Sequence, residues 1–299
     1  MIRAPQSPPS LLFRTRTFLA TRGLRPRTSR GQHFLVDASV RDAIVDAAGI
    51  GPGSTVVEIG PGTGVLTEAL LRRGARVLAL ELDRELAAAL QEGRGQESPL
   101  TVRVADALRF DFVGQLGDHP ERGRIQVVAN IPYYITTPLI LRLLPCRAVF
   151  RALFLTVQRE VADRIVSSPG SKAYGAFTLA CRYWATAQPV LAIPRTAFYP
   201  SPEVDSTLVR FDLLDAPRVQ VGSPGRLFRV IRAAFEQRRK TLRNALRQAG
   251  WPAGALDAAL SASGIAGDRR GETLHLEEFA RLCEALPALD TGDSEIREG

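Results

Sequence analysis

The sequence predicts an α/β protein with a doubly wound, mostly parallel sheet and a small C-terminal helical domain. Short apolar, β-branched runs alternate with segments of helical spacing from residue 37 to about residue 212, which is the rhythm of successive βαβ units. Beyond residue 225 the apolar residues keep helical spacing only. A chain of 299 residues is long enough for one large domain and a smaller one.

The first strand of the predicted sheet, residues 55–59, runs directly into a glycine-rich turn and then a helix at residues 65–71. The turn is Gly60-Pro61-Gly62-Thr63-Gly64, and glycines at such a turn let the backbone approach a cofactor closely. The dinucleotide motif needs a glycine where this chain has Val65, which disfavours a nicotinamide cofactor. Glu58 with three alternating glycines instead resembles the S-adenosylmethionine motif of Rossmann-like class I methyltransferases.

Two further predicted strands also finish on a carboxylate. Residues 76–81 end at Glu81, which is placed to accept hydrogen bonds from ribose hydroxyls, and residues 100–106 end at Asp106, which is placed to read an adenine amino group. An acid in this position also commonly caps the following helix, and Glu58 has the alternative role of supporting the glycine turn. Because ligands bind at the carboxyl ends of parallel strands, the three acids together indicate a cofactor cleft.

The next strand, residues 125–129, leads into Asn130-Ile131-Pro132-Tyr133. The Asn130 side-chain oxygen and the Ile131 carbonyl are two acceptors able to hold the N6 amino group of a flipped-out adenine. Tyr133 would stack on the base, a contact worth ~1–3 kcal/mol. These residues alone are equally consistent with a strand followed by a proline turn, and the cofactor pattern upstream favours the adenine site.

Taken in chain order, a set of segments resembles the small-subunit (16S) ribosomal RNA adenine N6,N6-dimethyltransferases over roughly residues 29–285. The segments are Gly31–Leu35, Glu58–Gly64, Asn130–Ile135, Lys172–Gly175, Phe198–Ser206 and Phe235–Asn244. The resemblance implies that the chain dimethylates N6 of two adjacent adenosines in the 3′-terminal hairpin loop of small-subunit rRNA during ribosome biogenesis. S-adenosyl-L-methionine is the implied methyl donor, and the immature small ribosomal subunit is the implied partner.

The resemblance and the residue chemistry together predict two sets of site residues. The cofactor set is Gln32, His33, Leu35, Gly60, Gly62, Glu81, Asp106 and Asn130. The catalytic set is Asn130, Ile131, Pro132, Tyr133 and Phe198. The chain departs from the family pattern at His33, where Asn is usual, and at Tyr134, where some members have Asn.

Two alternative functions remain open at this point. A large-subunit rRNA adenine methyltransferase of the macrolide-resistance type shares the Asn-x-Pro-Tyr motif, although residues 235–244 favour the small-subunit enzyme. A non-catalytic assembly or transcription factor on the same fold is the other alternative. The intact glycine turn, Asn130 and Tyr133 argue against loss of the chemistry.

The formal net charge of +8 suits a polyanion binder, but all except two of the 39 basic residues are arginines, a bias typical of a GC-rich genome. Position is better evidence than number. Arg238, Arg239, Lys240 and Arg243 follow an apolar helical stripe with Glu236 as the one nearby acid, so we predict that they bind RNA. The competing interpretation is that Arg239 and Lys240 only pin this helix to the catalytic domain through carboxylates.

Three regions are predicted: a basic, disordered arm at residues 1–28, the methyltransferase domain at 29–215, and a helical RNA-binding domain with a disordered tail at 216–299. The arm has the alternatives of an upstream start included in error or an organellar transit peptide, because the first 30 residues hold seven arginines and no acid. The scattered cysteines and histidines predict no metal site, and no apolar run reaches 18 residues. We expect a cytoplasmic monomer.

Overall fold

The computed structural model describes residues 9–28, 31–92, 94–95 and 97–289. The chain divides into two compact units. The first contains the residues up to 162 together with 188–212, and the second contains 163–187 together with the residues from 213 onward.

A seven-stranded sheet forms the first unit. The strands within the described residues are β1 (Phe34–Leu35), β2 (Thr55–Ile59), β3 (Arg76–Glu81), β4 (Leu100–Val104), β5 (Ile125–Asn130), β6 (Phe150–Gln158), β7 (Ala185–Ile193), β8 (Phe198–Tyr199) and β9 (Ser206–Leu213). The sheet has the order β4-β3-β2-β5-β6-β9-β7, with β2 to β6 parallel and β9 antiparallel to β6. β1 and β8 form a separate antiparallel pair. The predicted doubly wound, mostly parallel sheet is confirmed.

Helices connect the strands and make up most of the second unit. They are α1 (Leu11–Thr21), α2 (Ala38–Ala47), α3 (Val65–Arg72), α4 (Arg84–Gln91), α5 (Phe112–Leu116), α6 (Thr136–Leu143), α7 (Arg159–Val166), α8 (Ala176–Trp184), α9 (Pro224–Glu236), α10 (Leu242–Gln248), α11 (Ala253–Ser263) and α12 (Leu276–Ala285). Within the described residues, none of them is long and apolar enough to cross a membrane.

The central strands are buried because helices cover a parallel sheet on both faces. β2 has four consecutive buried residues after Thr55, and residues 127–129 of β5 are buried as well. These are the short β-branched runs from which the strands were predicted. The sequence interpretation missed β7, in which Pro189 argues against a strand. The structure places β7 at the edge of the sheet, where a missing N–H is tolerated, and β9 is therefore not the edge strand.

The predicted domain boundary at residues 215/216 needs correction, because residues 163–187 belong to the second unit. α8 places Leu179 and Tyr183 in the same apolar cluster as Leu227 of α9 and Phe279 of α12. The Tyr174 hydroxyl also donates a hydrogen bond to the Leu274 carbonyl, at 2.8 Å. The segment changes unit because its apolar face is buried by α9 and α12.

The prediction of a disordered N-terminal arm is wrong for residues 11–21, which form α1. Ser10 caps this helix, and its Leu11 and Leu19 are buried. Leu19 packs in an apolar cluster with Phe34 and Leu86. Arginine side chains add ion pairs: Arg14 with Glu68 at 2.9 Å, Arg27 with Asp83 at 3.2 Å, and Arg22 with Glu92. Composition alone indicated disorder, since the number of arginines reveals neither the apolar face of α1 nor the distant carboxylates that pair with them.

Residues 1–8 of the predicted arm and the predicted tail from residue 290 lie outside the described residues.

Replacing Leu19 tests whether α1 is packed. Leu19 is 4% exposed, and we expect Leu19→Ala to lower the free energy of unfolding by about 2 kcal/mol, the low end for a buried leucine. Phe13→Ala on the same helix is the matched control, because Phe13 is 61% exposed and its loss should change stability little. Urea denaturation followed by circular dichroism measures both. Equal midpoints for the two variants would show that α1 is not docked.

Candidate active site

A cleft opens where the strand order reverses. β3 and β4 lie on one side of β2, whereas β5 and β6 lie on the other, and ligands bind at such switch points outside the carboxyl ends of the strands. The residues that line the cleft are Gly31, Gln32, His33, Phe34, Leu35, Glu58, Gly60, Pro61, Gly62, Thr63, Val65, Leu66, Glu81, Leu82, Asp83, Leu86, Asn130, Pro132 and Tyr134.

The glycine turn after β2 is shaped by contact with the N-terminal segment. Gly62 has a φ of +57°, which other residues rarely adopt, and a Cβ there would lie 2.9 Å from two ring atoms of Phe34. Glycine is therefore required at this position for both conformation and space. The turn can thus run close beneath β1, and the cleft wall on this side is backbone.

Glu81 holds this turn in place. One of its carboxylate oxygens accepts from the Gly62 N–H at 3.0 Å, and the other accepts from the Asp83 N–H at 2.9 Å. Burial raises the pKa of Glu81 above its ordinary value, although these two backbone hydrogen bonds oppose the rise. Each oxygen keeps a second lone pair, so the carboxylate can still accept hydrogen bonds from a ligand. Leu82 beside it is 51% exposed and adds an apolar surface.

Glu58 lies beneath the turn and is 1% exposed. Its Oε2 is buried without a hydrogen-bond partner among the described residues, although Thr67 lies close to the carboxyl. Burial raises the pKa of Glu58 to about 8, and the carboxylate of Glu81 adds to the rise. Glu58 is therefore mainly protonated at neutral pH, and it brings little negative charge to the cleft.

Asn130, the last residue of β5, is held through its amide nitrogen. Its Nδ2 donates to the His33 carbonyl at 2.9 Å, and because a carbonyl only accepts, the nitrogen must face it. The Asn130 Oδ1 is then turned away from His33, and no donor of the described residues is bonded to it. His33 is itself anchored, since its Nδ1 lies 2.6 Å from the Pro200 carbonyl and must carry the proton there.

The two tyrosines that follow Pro132 have different surroundings. The Tyr133 ring is stacked on the His33 ring, with centroids 5.6 Å apart, and its hydroxyl shares a hydrogen bond with Ser206 at 2.8 Å. Burial raises the pKa of Tyr133, so the hydroxyl stays protonated at neutral pH. Tyr134 lines the cleft and is 57% exposed.

The structure gathers most of the predicted site residues in one place. Those that line the cleft are Gln32, His33, Leu35, Gly60, Gly62, Glu81, Asn130 and Pro132. Ile131 and Phe198 are buried beside it, and Phe198 pairs with Leu35 between β8 and β1. Asp106 does not line the cleft: its Oδ1 accepts from the Leu108 N–H at 2.9 Å, as a turn-capping acid does.

The cleft also contains residues that were not predicted. Leu82, Asp83 and Tyr134 line it in addition to the expected set. Leu82 and Asp83 directly follow the strand-ending Glu81, and that position was the available signal. Within the described residues, no group of three or more His, Cys, Asp or Glu side chains is placed to hold a metal ion.

The predicted RNA-binding residues lie mainly in a turn of the second unit, not on a helix, because α9 ends at Glu236 and α10 begins at Leu242. Arg238 donates to the carbonyls of Lys172 and Tyr174, both at 2.9 Å, and also meets the carboxylate of Glu272 at 3.5 Å.

The other basic residues of this region have different contacts. Arg243 pairs with Asp257 at 2.9 Å. Arg239 and Lys240 are exposed, and no ion pair holds them among the residues described. Arg238 is therefore held by groups of the protein. Carboxylates among the described residues do not pin Arg239 and Lys240, which are available to a ligand.

Comparison with known proteins identifies the family. The profile for ribosomal RNA adenine dimethylase matches residues 23–287. The chain belongs to this family. It is 47% identical over 280 residues to the Moorella thermoacetica protein named ribosomal RNA small subunit methyltransferase A, covering 91% of this chain and 96% of that protein.

Solved structures agree with the family assignment. The Plasmodium falciparum dimethyladenosine transferase is 26% identical, with a TM-score of 0.69, covering 84% of this chain and 96% of that one. The 23S rRNA methyltransferase ErmE is also 26% identical, with a TM-score of 0.62, covering 85% and 99%. The resemblance, the class I methyltransferase fold and the enzyme class predicted from sequence are confirmed.

The protonation of Glu58 predicts a pH-dependent stability. Its pKa is about 8 when folded and 4.5 ordinarily, so the folded state binds this proton more tightly. The resulting stability is fully present below pH 4.5 and is lost as the pH rises through about 8. The raised pKa of Glu81 acts in the same direction.

We expect Glu58→Gln, which mimics the neutral carboxyl, to flatten this decline. Urea denaturation at about pH 5 and about pH 9 should show that the wild type loses several kcal/mol and the variant clearly less. Parallel declines in the two proteins would contradict the buried, protonated state of Glu58.

Proposed function

We propose that the chain dimethylates N6 of two adjacent adenosines in the 3′-terminal hairpin loop of small-subunit rRNA, with S-adenosylmethionine as methyl donor. The observation that carries the proposal is the orientation of Asn130. Its nitrogen is engaged by the His33 carbonyl, which leaves Oδ1 as an acceptor beside the glycine turn. Membership of the rRNA adenine dimethylase family supports the reaction class.

The cleft suits S-adenosylmethionine on three observations. The glycine turn contributes the backbone of Gly60 and Gly62 to the cleft, and Glu81 supplies a carboxylate for hydroxyl groups. Leu82 supplies an exposed apolar surface for a base. When bound, the cofactor provides an electrophilic methyl group on a sulfonium. We assign its binding to Gln32, His33, Leu35, Gly60, Gly62, Glu81 and Asn130, whereas a contact from Asp106 stays a prediction.

Catalysis in this proposal depends on orientation. The Asn130 Oδ1 and the Ile131 carbonyl accept hydrogen bonds from the adenine amino group, which favours a tetrahedral nitrogen with an available lone pair. Such bonds strengthen as the nitrogen attacks, so they stabilise the transition state more than the bound substrate. Pro132 stiffens the turn that carries the Ile131 carbonyl, and Tyr133 and Phe198 bound the base site.

The alternative substrates are not favoured. ErmE acts on 23S rRNA and shares the fold, but it is 26% identical to this chain, whereas the small-subunit enzyme of Moorella thermoacetica is 47% identical. A non-catalytic factor would not need Gly60, Glu81 and Asn130 together in one cleft. The immature small subunit as partner, the monomeric state and a cytoplasmic location stay predictions.

The function is tested with immature small subunits, the protein and isotope-labelled S-adenosylmethionine. Mass spectrometry of the digested rRNA should find N6,N6-dimethyladenosine at two adjacent positions of the 3′-terminal hairpin. Asn130→Ala should slow single-turnover transfer on the order of 100-fold, the size expected when a transition-state hydrogen bond is lost, with RNA affinity almost unchanged. Absence of label from this hairpin would refute the proposal, and near-normal transfer by Asn130→Ala would refute the mechanism.

The exposed basic residues of the second unit give a separate test. A double variant, Arg239→Gln with Lys240→Gln, should raise the RNA dissociation constant and flatten its salt dependence, because fewer counterions are released. Its melting temperature and its cofactor affinity should not change.

Arg238→Gln is the matched control. Because Arg238 holds two carbonyls and Glu272, this variant should lower the melting temperature. An unchanged salt slope in the double variant would remove Arg239 and Lys240 from the RNA-binding surface.

A further inference from the structure

We infer that Tyr134 is a specificity-determining residue whose ring stacks on the nucleobase adjoining the adenine in the pocket. The inference rests on the proposed function and names the residue that presents the second of two adjacent adenosines. Two neighbouring tyrosines differ at the cleft, because Tyr133 is held by the protein and Tyr134 is exposed.

Tyr133 is engaged at both its ring and its hydroxyl. The His33 ring stacks on it at an interplanar angle of 26°, and Ser206 holds the hydroxyl. His33 is in turn fixed by Pro200. Tyr133 is therefore held rigidly, and one side of its ring is already covered by His33.

Tyr134 has the opposite character. Its 57% exposure is large for an aromatic residue. Among the described residues, its side chain makes no hydrogen bond and no aromatic contact. A Cβ added to Gly31 would lie 3.4 Å from the Tyr134 Cδ1, so the Gly31 backbone packs against this ring. Gly31 has a φ of +62°, which favours glycine there. The ring is thus supported from one side while much of its surface meets solvent.

Both tyrosines follow Asn130 by only a few residues. An adenine bound at Asn130 therefore brings the adjacent nucleotide of the RNA close to the rim of the cleft. Tyr134 and Asn130 line the same cleft. Single-stranded bases that leave a helical stack commonly gain a new stacking partner from an exposed aromatic side chain. With two adjacent adenosines to modify, the base outside the pocket needs such a platform, and Tyr134 is the exposed ring in that position.

The test uses small subunits reconstituted with rRNA that carries 2-aminopurine in place of one of the two adenosines, since stacking quenches its fluorescence. Wild type and Tyr134→Phe should quench the probe placed outside the pocket, whereas Tyr134→Ala should leave it brighter. On unmodified subunits, Tyr134→Ala should raise the KM for RNA about fivefold or more. Because the ring contributes to RNA binding and not to methyl transfer, kcat should fall far less than KM rises.

Equal quenching and equal KM in the wild type and Tyr134→Ala would overturn the inference. So would a loss in Tyr134→Phe as large as that in Tyr134→Ala, because the phenyl ring keeps the stacking surface. Thermal melting of both variants checks folding, and Tyr134→Leu provides a second variant with apolar bulk but no aromatic face. If the wild type does not methylate small-subunit rRNA at all, the proposed function fails, and the fluorescence comparison still decides whether Tyr134 stacks.

Discussion

The parallel pairing of β2 with β3 on one side and with β5 on the other is the constraint on which the site depends. Ile59 is opposite Leu80 in one register and opposite Ala129 in the other. The next residue of each strand therefore lies at the same height, at the carboxyl ends of the strands. Those residues are Gly60, Glu81 and Asn130. A shift of register would separate them, because successive side chains in a strand point to opposite faces.

A second set of contacts comes from the segment before the sheet. The His33 carbonyl orients Asn130, its ring supports Tyr133, and its Nδ1 is bonded to Pro200. One short segment therefore joins the end of β5 to the loop after β8. Phe34 completes this arrangement by packing where only Gly62 leaves room. The acceptor at Asn130 is preorganised by these neighbours, so the proposed transfer can favour one geometry without a general base.

Arginine serves more than one purpose in this chain. Arg14 and Arg27 join the N-terminal segment to carboxylates of the first unit, and Arg238 ties backbone carbonyls within the second. Exposed ion pairs of this kind contribute little individually, so α1 relies chiefly on Leu11 and Leu19. The net positive charge is therefore a poor measure of how many basic side chains are available to RNA.

The sequence by itself determined the parallel sheet, the glycine turn and the strand ends at Glu81 and Asn130, because β-branched runs and glycine requirements are local properties. It also carried the family resemblance. Only the tertiary structure decided that α1 packs on the first unit, that α8 belongs with the helices of the second, and that Asp106 caps its own turn. The same holds for the different contacts and exposure of Tyr133 and Tyr134 and of Arg238 and Arg239. Except for Asp106, whose partner Leu108 is two residues away, these outcomes depend on a partner distant in the chain, such as Glu68, Ser206 or Glu272. Local patterns do not reveal which distant partner a side chain meets.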